Sequence, residues 1–227
     1  MTHRVPVSAL SERQFANLKR RIASDAPVIV DGGAYKGEMI DLFLLQYGSP
    51  VIHAFEANPG RAGGLRKKYA GRANVRIYPC ALGAANSRIP FNILEAGTLS
   101  SALAPKSDPK VFRRPGTTVV RHVIVDQVRL DGILDGGPDI LKLDLQGYEL
   151  EALKGCGDLL ERTGVIGCEV GFVERYEGQP LFDEIDRFLT AAGFELLELY
   201  EPQGHAGGPL THADAVYLNR RSLPTRF

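Results

Sequence analysis

The residues best suited to chemistry in this chain are carboxylates at the ends of apolar runs. Asp31 closes the run Val28-Ile29-Val30 and leads into Gly32-Gly33-Ala34-Tyr35-Lys36-Gly37. Small residues in such a turn let the backbone approach a ligand, and a helix starting after Gly37 offers unpaired N–H groups with a partial positive charge. Glu56 ends the next run, 25 residues after Asp31, where a carboxylate can accept both hydroxyls of a ribose. Asp144 and Glu169 end two later runs. Two acids converging on one rim can orient a hydroxyl, act as a base, or hold a hard divalent ion.

A dinucleotide site would place Gly-x-Gly-x-x-Gly at the first turn, and counting from Gly33 the second glycine position holds Tyr35. That disfavours a nicotinamide-dependent reductase. S-adenosylmethionine (SAM) has a sulfonium and a zwitterionic amino acid tail but no pyrophosphate, so an acid at the strand end suits it. The expected contacts are Asp31, Gly33, Ala34, Tyr35, Gly37 and Glu56, and the small apolar turn Pro79-Cys80-Ala81-Leu82-Gly83 can press Ala81 and Leu82 on an adenine face. Methyl transfer from a sulfonium is an in-line displacement that depends mainly on positioning, and it needs a base only for a poor nucleophile such as an alcohol. Asp144, Glu169 and the loop histidine His212 are the candidates for that work. His205 flanks the same Gly-rich loop as His212, His122 falls in a loop beside the site, and mid-strand His53 is expected to pack. Lys142 shares a strand face with Asp144, and once buried it needs an acid partner, with Glu149 and Glu169 as candidates.

The elements that must position these groups alternate between β-branched runs and helical segments, the pattern of βα units in a mostly parallel sheet. Seven strands are expected: 28–31, 51–56, 75–78, 140–144, 165–170, 195–200 and 215–218. Met39, Ile40, Phe43, Leu44 and Tyr47 share one face of a crossover helix stopped by Gly48-Ser49-Pro50. A helical segment runs from Ser11 to Ile22, so residues 1–26 are read as an N-terminal helical segment and 27–220 as the catalytic domain, one domain overall. Residues 87–128 break the alternation and are read as an inserted hairpin or loop flanking the site. Acidic and basic residues balance at 27 each, so no bulk charge argues for nucleic acid or an anionic membrane. No apolar run approaches the length of a membrane span, and no signal peptide is visible, so a cytoplasmic location is expected. Cys80, Cys156 and Cys168 lack the spacing of a disulfide framework or a zinc site and are expected as buried thiols.

Together these motifs resemble the FkbM family of SAM-dependent methyltransferases, from about Val28 to Leu218. The resemblance rests on the 31–37 turn, Ala54-Phe55-Glu56-Ala57-Asn58-Pro59, Ala81-Leu82-Gly83, Ser100-Ser101, Leu130-Asp131, Lys142 to Glu149 with Leu153-Lys154-Gly155, and Glu169. It implies an α/β, Rossmann-like, seven-stranded class I methyltransferase sheet whose last strand is antiparallel. It also implies O-methylation of a small-molecule or glycan acceptor, such as a sugar, glycolipid or secondary metabolite. By this resemblance the first turn, Glu56, Ala57 and Ala81-Leu82 hold the cofactor, Asp144 faces the transferring methyl, and Ser100 and Ser101 lie in a loop closing on cofactor or substrate, with His122 grouped beside them. Two departures stand out: Tyr35 replaces the family's usual Asn, and Gln146 stands where an acid is common. A divalent metal is possible but not favoured, no nucleic-acid partner is expected, and the oligomeric state is left open. The rival reading is a non-catalytic SAM-binding or regulatory domain of the same fold.

Overall fold

The computed structural model describes residues 22, 24–107, 115–204 and 208–221. The expected N-terminal helix, apart from Ile22, and His205 lie outside them. In chain order the elements are β1 (Val28–Gly32), α1 (Glu38–Gln46), β2 (Val51–Phe55), α2 (Pro59–Lys68), β3 (Val75–Tyr78), β4 (Ala81–Leu82), β5 (Ser87–Leu94) and β6 (Val119–Val128). There follow β7 (Ile140–Leu143), α3 (Glu149–Lys154), β8 (Val165–Gly171), α4 (Phe182–Ala191), β9 (Phe194–Gly204) and β10 (Leu210–Asn219).

All seven expected strands form one sheet, in the order β3-β2-β1-β7-β8-β10-β9. The first five are parallel, and β10 runs antiparallel to both neighbours. The fold matches the expected class. After β1 the chain builds outward through β2 and β3, then returns to add β7 on the other side of β1. The crevice beyond the carboxyl ends of β1 and β7 is therefore the switch point where open α/β sheets bind ligands.

Alternation along each strand sends successive side chains to opposite faces and explains two separate cores. Ile29, Ile52, Ile140 and Val165 pack beneath Ile40 and Phe43 of α1. Val30, Leu141, Leu143 and Ile166 face the other way, onto Leu153 of α3 and Ile185 and Leu189 of α4. Each such fully buried aliphatic or aromatic side chain contributes about 1.5–3 kcal/mol. All three cysteines are buried and free.

The insertion is a hairpin of β5 and β6, and the short β4 joins it to make a second, three-stranded sheet. Of the remaining helices α2 lacks a clear sequence signal, whereas Phe182, Ile185, Phe188 and Leu189 of α4 share one helical face. In α2, Gly60, Gly63 and Gly64 lower the helix propensity, and the helix is started by Pro59 and by Asn58, whose Oδ1 accepts from the Gly60 and Arg61 N–H groups. In α4, Glu184 reaches back to accept the Leu181 N–H at 3.1 Å. The last strand starts at Leu210, five residues earlier than the apolar run indicated, and so includes His212 and Asp214.

The turn after β1 is clamped from both sides. The Gly33 and Ala34 N–H groups both donate to Phe55 O, at 3.0 and 3.1 Å, and the Asp144 N–H donates to Gly32 O at 3.0 Å. Gly33 has φ +79°, and a Cβ there would lie 2.0 Å from Asp144 O. Replacing Gly33 by Ala combines a left-handed backbone with a backbone collision. It should lower stability by at least about 2 kcal/mol, read as a drop in the urea midpoint, whereas Gly63→Ala, where a Cβ meets nothing within 4 Å, should hold or raise it.

Candidate functional site

A cavity of about 590 Å³ opens at the switch point. Gly33, Ala34, Tyr35, Glu38 and Met39 form its β1–α1 side, and Lys142, Asp144 and Gln146 form the β7 side. Glu169 of β8 and Arg175 of the segment after it stand next, and Glu201, Gln203, His212 and Asp214 form a wall from β9 and β10. Beside it runs a narrow, mainly apolar slot lined by Ala57, Cys80, Ala81, Leu82, Phe91 and Tyr148, among others. Gly33, Ser100 and Asp144 line both spaces, so the slot and the chamber meet at these three residues.

Under the chamber lies a buried ion pair. Parallel pairing of β1 with β7 sets Asp31 opposite Lys142, and Lys142 Nζ is 3.1 Å from Asp31 Oδ1. Lys142 Nζ also stands 3.4 and 3.3 Å from the carbonyls of Gly32 and Gly33. The partner of Lys142 is thus Asp31, not Glu149 or Glu169. Strand register, which the linear spacing hides, selects it. Burial works against charge on Lys142, but Asp31, Asp144 and Asp214 around it outweigh that cost and raise its pKa. Burial raises the Asp31 carboxyl, with Lys142 opposing. Asp31 is fully buried and does not line the cavity. It sits below the ligand space, and among the described residues its Oδ2 has no hydrogen-bond partner.

Glu56 reaches the chamber from just past β2. Its Oε2 accepts the Tyr35 N–H at 2.7 Å and its Oε1 accepts the Asn58 N–H at 2.7 Å. Burial pushes its pKa up to about 7 despite these two donors. Glu149 is buried under the 144–147 turn, where its Oε1 accepts from the Leu145 and Gly147 N–H groups at 2.7 and 3.3 Å; burial and the Glu169 charge push its pKa to about 8.

Gln146 occupies the centre of the reactive side. Its Nε2 donates to Asp144 Oδ1 at 2.8 Å and to Glu169 Oε2 at 3.1 Å, so an amide donor holds the position between the two acids. Its Oε1 accepts from Tyr176 Oη at 2.8 Å, and its carbonyl accepts from Ser101 Oγ at 2.8 Å. Arg175 pairs with Glu169. His212 bonds Thr211 Oγ1 through Nδ1 at 2.9 Å and places Nε2 3.8 Å from Glu169 Oε1.

Positive φ at residues other than glycine is confined, among the described residues, to Tyr35 (49°), Gln146 (54°) and Glu201 (44°). All three line this one cavity. Such conformations cost about 1–3 kcal/mol each and cluster where a side chain must be aimed at a ligand. At Glu201 the cause is an irregularity in the β9–β10 pairing between His212 and Asp214.

The structure brings Gly33, Ala34, Tyr35, Glu56, Asp144, Glu169, His212 and Ser100 to the chamber, and Ala57, Ala81 and Leu82 to the slot. It does not bring Gly37 there: this residue caps α1 at φ 83°, where a Cβ would meet Tyr69 Oη at 2.4 Å. Ser101 is fully buried and holds Gln146 instead of facing the chamber. His122 does not line it either. It is exposed on β6 and bonds its cross-strand partner Asn92 at 2.8 Å. His53 packs as expected, stacked on Tyr78. Arg175, Glu201, Gln203 and Asp214 were missed. For Asp214 a signal existed: His212 and Asp214 alternate with Ala213 and Ala215, the pattern of a strand with one polar face.

Comparison with known proteins accords with this geometry. Residues 31–196 match the family profile described as the methyltransferase FkbM domain. The 2-O-methyltransferase NoeI of Sinorhizobium fredii (strain NBRC 101917 / NGR234) is 28% identical over 91% of this chain and 87% of its own length. Methyltransferase sdnD of Sordaria araneosa is 27% identical over 75% of this chain and 74% of its own. The crystal structure of a methyltransferase FkbM from Methylobacillus flagellatus KT shares the fold, with TM-score 0.56 and 17% identity; the match covers 86% of this chain and 44% of that one. With the family profile spanning residues 31–196, from β1 to the start of β9, the chain belongs to the FkbM methyltransferase family.

Proposed function

We propose that this methyltransferase takes its methyl group from SAM and places it on a hydroxyl of a small molecule or glycan. The observation that carries this reading is the junction of the apolar slot with the polar chamber at Gly33, Ser100 and Asp144. A donor with a flat apolar base at one end and a charged tail at the other fits two such spaces meeting at an acid.

The residues present suit SAM. Ala57, Ala81 and Leu82 would flank the adenine, and Glu56 would accept the ribose hydroxyls. The backbone at Gly33 to Tyr35 would take the methionine end, its close approach kept open by the missing Cβ at Gly33. SAM supplies an electrophilic methyl on a sulfonium. The chain supplies the alignment: Asp144, fixed by Gln146, is the acid next to the reacting centre, and Asp31 supports the turn from below through Lys142. Glu169, Gln203 and His212 offer hydrogen-bonding groups suited to a polyhydroxylated acceptor, and the naming of NoeI as a 2-O-methyltransferase supports oxygen as the acceptor atom.

Calorimetric titration with SAM and with its demethylated product tests the donor. Binding of either is expected, and silence with both sinks the reading. The Glu56 carboxyl, raised to about 7, must lose its proton before both oxygens can accept ribose hydroxyls. Because the bound state favours the ionised form, SAM affinity should fall as pH drops below 7, by about tenfold per pH unit. Glu56→Gln should weaken SAM binding about 10- to 100-fold at pH 8 and abolish this pH dependence.

A further inference from the structure

We propose that Asp214 is the proton acceptor for the reacting hydroxyl, a role that rests on the hydroxyl-acceptor reading above. Three observations carry it.

The first is position. Asp214 lies on β10 directly across from Glu169 on β8 and lines the chamber on its acceptor side. The irregular pairing that turns Glu201 into the chamber falls between His212 and Asp214, and irregularities of this kind re-aim side chains beside active sites. The second is availability. Among the described residues no hydrogen-bond donor or ion-pair partner holds the Asp214 carboxylate; its influences are burial and the charges of Asp144, Glu169, Lys142 and Glu201. Of the other acids lining the chamber, Asp144 is engaged by Gln146 and Glu169 by Gln146 and Arg175, Glu201 is exposed, and Glu38 stands on α1 at the β1–α1 side. His212 is held between Thr211 and Glu169. The third is chemistry. Burial, reinforced by the Asp144 and Glu169 charges and opposed by Lys142, pushes the Asp214 carboxyl up to about 8, far closer to an alcohol than an ordinary carboxylate is.

In the step, the acceptor O–H bond breaks and its proton passes to an Asp214 oxygen as the acceptor oxygen bonds the methyl carbon. The electron pair of the broken C–S bond stays on the donor's sulfur. A sulfonium and a carboxylate become a neutral thioether and a neutral acid, so charge is annihilated beside a carboxyl that burial already drives toward its neutral form, and this favours the forward direction. Asp214 lies beyond residue 196, outside the stretch that the family profile matches.

Two measurements test this. Carboxyl-carbon NMR of aspartate-labelled protein, with the Asp214 signal assigned by its loss in Asp214→Asn, should show titration near pH 8; titration below pH 5 overturns the proposal. Labelled SAM is then offered with a panel of methyl hexopyranosides and with 1-thiohexoses, whose thiol ionises without an enzymic base. Asp214→Asn should bind SAM like the wild type, lose about 100-fold or more of hydroxyl methylation and keep thiol methylation within about threefold. Equal loss on both acceptors, or loss on neither, overturns the role. Wild-type protein that binds SAM yet methylates none of the hydroxyl probes overturns the hydroxyl-acceptor reading itself, a result distinct from an unimpaired Asp214→Asn enzyme.

Discussion

The structure depends on one buried contact, the ion pair of Asp31 and Lys142 between the two strands that meet at the switch point. Both groups are almost wholly withdrawn from water, and taking two charges out of solvent costs several kcal/mol per ion, which their mutual attraction offsets only in good geometry. An apolar pair could fill the same volume at no loss of stability. It could not present an ammonium to the carbonyls of Gly32 and Gly33, nor leave a positive charge beneath Asp144 and Asp214. The pair therefore shapes the turn above it, and its ammonium favours the charged forms of Glu56, Glu169 and Asp214 around the chamber.

Much of this was written locally in the chain. The seven strands, the α1 crossover, the glycine turn and Glu56 follow from short-range rules of alternation, helical spacing and backbone freedom, and they stand where those rules put them. What was hidden depends on register. Lys142 finds Asp31 because β1 and β7 lie side by side, and nothing in the spacing of 31 and 142 says so. Ser101 and Gly37 have site-like neighbours in sequence but are used for support, one holding the Gln146 carbonyl and the other making room for Tyr69. His122 was misjudged because the hairpin turns it outward to Asn92. Asp214 is hidden because the apolar run begins only at Ala215 and Val216, although the alternating polar pair just before them already has strand periodicity.

Gln146 shows how one amide can hold two acids together. Held in a left-handed conformation by Ser101 and Tyr176, it presents one amide to two carboxylates that would otherwise repel each other across the chamber. An acid in its place would add a third negative charge, whereas the amide keeps Asp144 and Glu169 close at no cost in charge. The residues that brace it, from the hairpin side and from the segment after β8, tie the inserted sheet to the wall of the chamber.

The irregular pairing between β9 and β10 has a consequence for descent. The β1–β7 half of the crevice is built on parallel strands whose register, buried pair and glycine turn are mutually locked, so change there is penalised at once. Glu201, Gln203, His212 and Asp214 belong instead to a single antiparallel ribbon at the sheet's edge, joined by a loop and already tolerant of a misfit in its ladder. On the function proposed above, lineages sharing this scaffold can exchange the molecule they modify by rewriting one ribbon, while inheriting the β1–β7 half unaltered.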